Sequence, residues 1–219
     1  MKVHDLLLVI IAFVSEVTGT VSGFGSSTFF VPAAVFLETF AFVLALTAIL
    51  HCFGNLSKIL IFRRHFPTEL IVRLAVPSMI LAGVGALLSA YISVNLLSRL
   101  LGFTLILVSA FAFLNKKRPV KIGMASASAV CGLSGLMTGL VGTGGAIRGM
   151  ALTALGIDRN AFVAVSAGID LGGDLIRAAI YLYKGYMDWN QWFYIPALGA
   201  AAVQAAVLKG AIFTSATVP

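Results

Sequence analysis

Asp170, Asp174 and Arg177 interrupt an otherwise apolar stretch, "SAGIDLGGDLIRAAIYLYKG". Helical spacing puts the two aspartates, at i and i+4, on one face, and lets Arg177 pair with Asp174 at i+3. A second apolar stretch, "LHCFGNLSKILIFRR", places His51, Asn55 and Lys58 on one face in the same way. Carboxylates and an imidazole can carry protons, amides donate and accept hydrogen bonds, and cations hold anions. A third apolar stretch contains Glu16, which reads either as a proton carrier or as the partner of a base such as Lys58. An unpaired charge in hydrocarbon is costly, so such residues read by default as a site or a pathway. Lys58 and Arg177 have the alternative of snorkelling to the interface. Asn55 and Asp174 are too short for that, which makes them the stronger site candidates.

Two glycine motifs offer a different chemistry. "SGFGSSTFFVP" (residues 22–32) supplies Gly23, Gly25, Ser26, Ser27 and Thr28, and "VGTGGAIRGMA" supplies Gly142, Thr143, Gly144, Gly145 and then Arg148. A break before a half-helix exposes backbone N–H groups, which with the positive helix end hold an anion without placing a full charge in lipid. The hydroxyls of Ser22, Ser26, Ser27, Thr28 and Thr143 would donate to oxyanion oxygens. Lys58, Arg148 and Arg177 would offset the anion's charge, although Arg148 reads equally as an interfacial anchor. Asn55, Asp170 or Asp174 would order the bases or carry a coupling proton, with Glu16, His51 and Asp170 as the coupling candidates.

The elements that must position these groups are membrane helices. Of the 219 residues, 60% are hydrophobic and 11% charged, against about a quarter charged in soluble domains. The reading is an all-α polytopic membrane protein, a single membrane domain over 1–219. Runs bounded by charge, Gly and Pro give seven long segments, at 5–22, 40–62, 70–92, 97–114, 122–141, 160–183 and 190–212. Two shorter pieces, 28–37 and 146–156, are about ten residues each and reach only about 15 Å, so they read as half-helices or re-entrant segments. If the seven long segments alone cross, Lys2, Arg63, Arg64, the Lys116–Lys121 cluster and Lys184 share one side. The positive-inside rule then expects a cytoplasmic N-terminus and an external C-terminus, in a plasma (inner) membrane.

The chain also matches itself at an offset of 119. Gly23 and Gly25 meet Gly142 and Gly144, Gly54-Asn55-Leu56 meets Gly173-Asp174-Leu175, Lys58 meets Arg177, and Pro77 meets Pro196. The matched residues belong to rare classes in register, which points to a duplication: repeat one at about 5–114 and repeat two at about 122–219. Transporters are often built this way, with the site between the halves. An even number of spans between equivalent points makes the repeats parallel, and an odd number makes them inverted; the sequence leaves this open. The partner of span 97–114 would fall at 216–233, which the chain does not reach.

Other classes fit poorly. The net charge of +7 sits in short loops between spans, where topology signals belong, so nucleic acid is not an expected partner. Cys52 and Cys131 lie within apolar segments without metal-ligand spacing, and neither a metal nor a cofactor is expected. The apolar start has Glu16 and Thr18 where a signal peptidase site needs small residues, so it reads as a retained helix. No intramembrane protease or hydrolase motif is present, and the histidines are dispersed, which argues against an enzyme.

The residues resemble a known family. "GFGSSTFFVP" with its following apolar run, and "GLVGTGGAIRGMALTALGIDRNAFVAVSAGIDLGGDLIRAAIYLYKGYMDW", are similar to the TauE/SafE family of membrane transport proteins over about residues 6–210. The resemblance implies a secondary transporter or permease, often of sulfite, sulfoacetate and related sulfonates. Ser26 and Ser27 stand where that family usually has glycine, and Ala146 where it commonly has proline. Its members also tend to carry an eighth span. The expected partners are a small anionic substrate, a coupling proton and the bilayer, and the chain is compatible with a homo-oligomer. The rival readings are a non-transporting scaffold or assembly subunit, and a passive anion channel; ligand stabilisation by oxyanions counts against the first, and flux that ignores the proton gradient favours the second.

Overall fold

The computed structural model describes residues 3–22, 25–63, 67–114 and 121–215. Gly23 lies outside the described residues, as does the side chain of Ser22. Among the described residues the structure is helical, without strands: α1 (Val3–Ser22), α2 (Ser27–Ala34), α3 (Phe40–Ile61), α4 (Thr68–Ser89), α5 (Val94–Leu114), α6 (Met124–Val141), α7 (Gly145–Ala154), α8 (Arg159–Tyr183) and α9 (Tyr194–Ser215). Four of these helices, α3, α4, α5 and α6, are long and apolar enough to cross a membrane. Apolar runs become helices here because hydrocarbon leaves no partner for backbone groups except the chain itself.

The two short helices turn back beside the helices that precede them. Gly25 (φ 85°) and Gly142 (φ 78°) take the left-handed conformation that reverses the chain, a conformation costly for any residue with a Cβ. At the first reversal the Gly25 N–H donates to the Gly19 carbonyl at 3.3 Å, and at the other end His4 Nε2 lies 3.0 Å from the Leu37 carbonyl. In the second, the Ser134 hydroxyl donates to the Gly144 carbonyl at 2.7 Å, and the Ile122 N–H reaches the Ala154 carbonyl at 3.4 Å. Thus α1–α2 and α6–α7 are hairpins, each ending at the level where it began.

Paired contacts give the helix directions. From Asn55 back to His51, the partner on α8 moves forward from Asp174 to Arg177, so α3 and α8 are antiparallel. Gly135 abuts Ser78 and Gly139 abuts Ala82, so α4 and α6 run together. The glycines at 132, 135 and 139 let the two backbones approach closely, as small residues do in membranes. Gly172 meets Met79 and Gly83 meets Ile176, so α8 also runs with α4. Phe42 packs edge-on against Tyr194, and Phe53 lies against Gly199, so α9 runs with α3. Tyr194 donates to Asp5 at 2.8 Å, fixing the start of α9 beside the start of α1.

The register with Pro77 expects Pro196 inside a helix, but α9 starts only at Tyr194. A turn including Trp189–Gln191 occupies the preceding residues, so Pro196 falls in the first helical turn, where its missing N–H costs nothing. The main core gathers Phe30, Val31, Leu44, Leu50, Tyr181 and Leu198, from α2, α3, α8 and α9. Helix α5 stays at the periphery, with Phe103, Ile106 and Phe113 exposed, as a lipid-facing helix requires.

Candidate functional site

The two hairpin tips meet inside the protein. A Cβ on Gly25 would stand 3.2 Å from the Gly145 Cα, and the hydroxyls of Thr28 and Thr143 are 3.4 Å apart. Val31 and Leu44 close over Gly142, and Gly144 is pressed against Ser134 and Thr138 with no room for a side chain. Both α2 and α7 therefore begin at the junction, and neither has a side-chain cap on its first-turn N–H groups. In α2 the Thr28 and Phe29 N–H groups donate to the Gly25 and Ser26 carbonyls, at 3.3 and 3.0 Å. Ser26 and Ser27 are buried at the start of α2.

Beside this junction lies a continuous polar network. The Ser26 hydroxyl donates to Glu16 Oε1 at 2.5 Å and lies 3.0 Å from His51 Nε2. Glu16 Oε2 is held by Lys58 Nζ at 3.1 Å. On the other side of the imidazole, Arg177 Nη2 is 3.1 Å from His51 Nδ1, and Arg177 Nε donates to Asp174 Oδ1 at 2.9 Å. Asn55 Nδ2 donates to Asp174 Oδ2 at 2.7 Å, completing the link between α3 and α8. Tyr181 lies beside the Arg177 guanidinium and gives its own proton to the Gly139 carbonyl at 2.5 Å. A second pair joins Arg148 to Asp170, with Ser166 accepting from Arg148 Nε at 3.1 Å.

Lys58 and Arg177 do not snorkel: Lys58 turns inward to Glu16, and Arg177 is wholly buried. Arg148, also buried, is an ion-pair member rather than an interfacial anchor. Each cation expected to meet an anion already faces a carboxylate, giving three acids and three bases. One group is left over. Among the described residues, Arg177 Nη1 is the buried side-chain nitrogen or oxygen without a hydrogen-bond partner. Such orphans are rare in native interiors and point to a functional role.

Sequence reasoning missed Ser166, Tyr181, Ser134 and Thr138. The first two were within reach, because Ser166, Asp170, Asp174, Arg177 and Tyr181 follow one another at steps of three or four along α8. Ser134 and Thr138 gave no such signal; their role appears only when the tip folds back on α6.

This chain matches the family model described as Sulfite exporter TauE/SafE over residues 7–216. It belongs to the TauE/SafE family. No curated protein and no solved structure matches it. TauE/SafE proteins are membrane transporters rather than enzymes, and the apolar helices of this member agree with a place in a membrane. Within the first glycine motif, the Ser26 hydroxyl ties Glu16 to His51.

Proposed function

We propose that this TauE/SafE protein is a secondary transporter that moves small anions, sulfur oxyanions or sulfonates, across the plasma membrane. The observation that carries the reading is the orphaned Arg177 Nη1, buried in the polar network beside two meeting helix starts. A guanidinium nitrogen and the hydroxyls of Thr28 and Thr143 are donors of the kind an oxyanion needs, and the positive ends of the two helix starts favour its charge. The substrate sits between the α2 and α7 tips, next to Arg177, with Asp174 and Asn55 orienting the guanidinium. Rocking of one half against the other opens the site alternately to each side.

The packing supports two inverted repeats. Moving by 119 residues carries α1, α2, α3 and α4 onto α6, α7, α8 and α9. The packed pairs come in matching sets: α1 with α9 and α6 with α4, α3 with α9 and α8 with α4, α1 with α2 and α6 with α7. Between the two hairpins the chain crosses as α3, α4 and α5, an odd number, so the second half enters from the opposite side. On this reading the basic residues Arg63 and Lys121 share the side where α6 begins, and the N-terminus lies on the other. The positive-inside rule then puts the N-terminus outside. This reverses the orientation expected from seven through-spans, because a hairpin contributes no net crossing.

The test is a thermal-shift screen of the purified protein with sulfite, sulfate, thiosulfate, sulfoacetate and simple carboxylates. Stabilisation by a sulfur oxyanion or sulfonate, lost in the Asp174→Asn/Arg177→Gln double variant, supports the reading. Stabilisation by none of them contradicts it.

A further inference from the structure

The three buried ion pairs leave the network without net charge as long as His51 is neutral. The geometry sets the state of that imidazole. A guanidinium has N–H donors and no acceptor, so the approach of Arg177 Nη2 makes His51 Nδ1 an acceptor. The ring proton is then on Nε2, which donates to Ser26 Oγ, and Ser26 in turn donates to Glu16. The chain Arg177–His51–Ser26–Glu16 is satisfied in one direction, with a neutral histidine. In that state Arg177 uses Nη2 on His51 and Nε on Asp174, and Nη1 alone is free. One nitrogen does not make the two-pronged grip that arginine offers an oxyanion. An anion entering a neutral buried network also carries the full cost of an uncompensated charge.

We infer that each anion is accompanied by a proton that binds His51 Nδ1 and thereby turns Arg177 into an anion clamp; the inference rests on the anion-transport reading above. The Nδ1 lone pair becomes an N–H bond, so Arg177 Nη2 loses its acceptor, and imidazolium and guanidinium repel. The new N–H turns toward Asp174 Oδ1, which is 3.8 Å away. Nη1 and Nη2 are then free together as a planar fork, and the added positive charge balances one negative charge on the substrate. The charged and titratable groups around His51 are Glu16 on α1, Cys52 and Lys58 on its own helix, and Asp170, Asp174, Arg177 and Tyr181 on α8. Of these, Arg177 is the group the proton displaces, and Asp174 is the carboxylate placed to receive it. The balance favours monoanions, such as sulfonates, over dianions.

The experiment mixes purified protein with methanesulfonate, whose charge is constant around neutral pH, in weakly buffered detergent solution containing a pH indicator. The wild type is expected to take up about one proton per bound anion. His51→Gln still accepts from Arg177 and donates to Ser26 but does not titrate, and is expected to take up none. Anion binding by the wild type without proton uptake overturns the inference, as does undiminished uptake in His51→Gln. Absence of any oxyanion binding is instead a failure of the transport reading. Nitrogen-15 NMR of the His51 ring, assigned by its loss in His51→Gln, then decides the tautomer: a neutral Nε2–H ring agrees, and an Nδ1–H ring overturns the clamp.

Discussion

Asn55 donates a 2.7 Å hydrogen bond to Asp174, a residue 119 positions away, and 119 is the offset at which the two halves match. On the proposed duplication each residue is the other's counterpart. Two counterparts touch only where a two-fold axis passes between them, so this bond marks the axis of the proposed inverted repeats. Asn55→Asp would place two carboxylates there, which hold one proton between them. The folded variant then binds a proton that the unfolded chain releases, so its stability falls further as pH rises. The expected loss near neutral pH is about 2–4 kcal/mol, measured by thermal unfolding in detergent across a pH series; a pH-independent loss would contradict the pairing.

Glu16 and Lys58 make the most lipid-adverse pair in the first half, with Glu16 fully buried. Lys58→Met alone leaves a buried carboxylate uncompensated, at a cost of about 3–5 kcal/mol. Adding Glu16→Gln removes that charge and is expected to restore most of the stability. Equal melting temperatures for the single and double variants would show that the two charges do not compensate each other.

Close contact of α4 and α6 depends on glycine. A side chain at Gly139 meets the Ala82 carbonyl, whereas one at Gly102 on α5 meets nothing. Gly139→Leu is expected to abolish the folded monodisperse protein, and Gly102→Leu to leave its yield and elution volume in size-exclusion chromatography unchanged. Similar behaviour of the two would mean that the backbone approach of α4 and α6 is not needed.

Orientation is tested with single cysteines at Asp188 and Lys121, both exposed, in a background with Cys52 and Cys131 replaced by Ala. In intact cells a membrane-impermeant maleimide is expected to label Asp188→Cys, and Lys121→Cys only after permeabilisation. Labelling of both from one side would restore the through-span count.

Helix positions were legible because charge, glycine and proline bound each apolar run; α3, read as 40–62, spans Phe40–Ile61. The length of α2 and α7 marked them as half-helices or re-entrant segments, but hydropathy carries no direction and left open which of the two they are, and the sidedness of several loops hung on that. The buried charges were legible for a related reason, since Glu16, Asp174 and Arg177 stand out against apolar neighbours. Two of their pairings were legible as alternatives, Arg177 with Asp174 at i+3 and Glu16 with Lys58 across 42 residues. The link from Glu16 to His51 was not, because Ser26, on a third element, stands between them. The stripe of α8 showed Asp170 and Arg177, but that Asp170 serves Arg148 depends on where α7 docks.

The most direct measurement of the central claim is uptake of radiolabelled methanesulfonate into proteoliposomes, for the wild type and for the Asp174→Asn/Arg177→Gln double variant. The double variant keeps the network neutral, so folding and loss of the clamp are separated, and matched melting curves verify this. Saturable uptake by the wild type, driven by an inward proton gradient and reduced to the empty-liposome level in the variant, is the predicted result. Saturable uptake that survives in the folded double variant would contradict the assignment of Arg177 as the anion site.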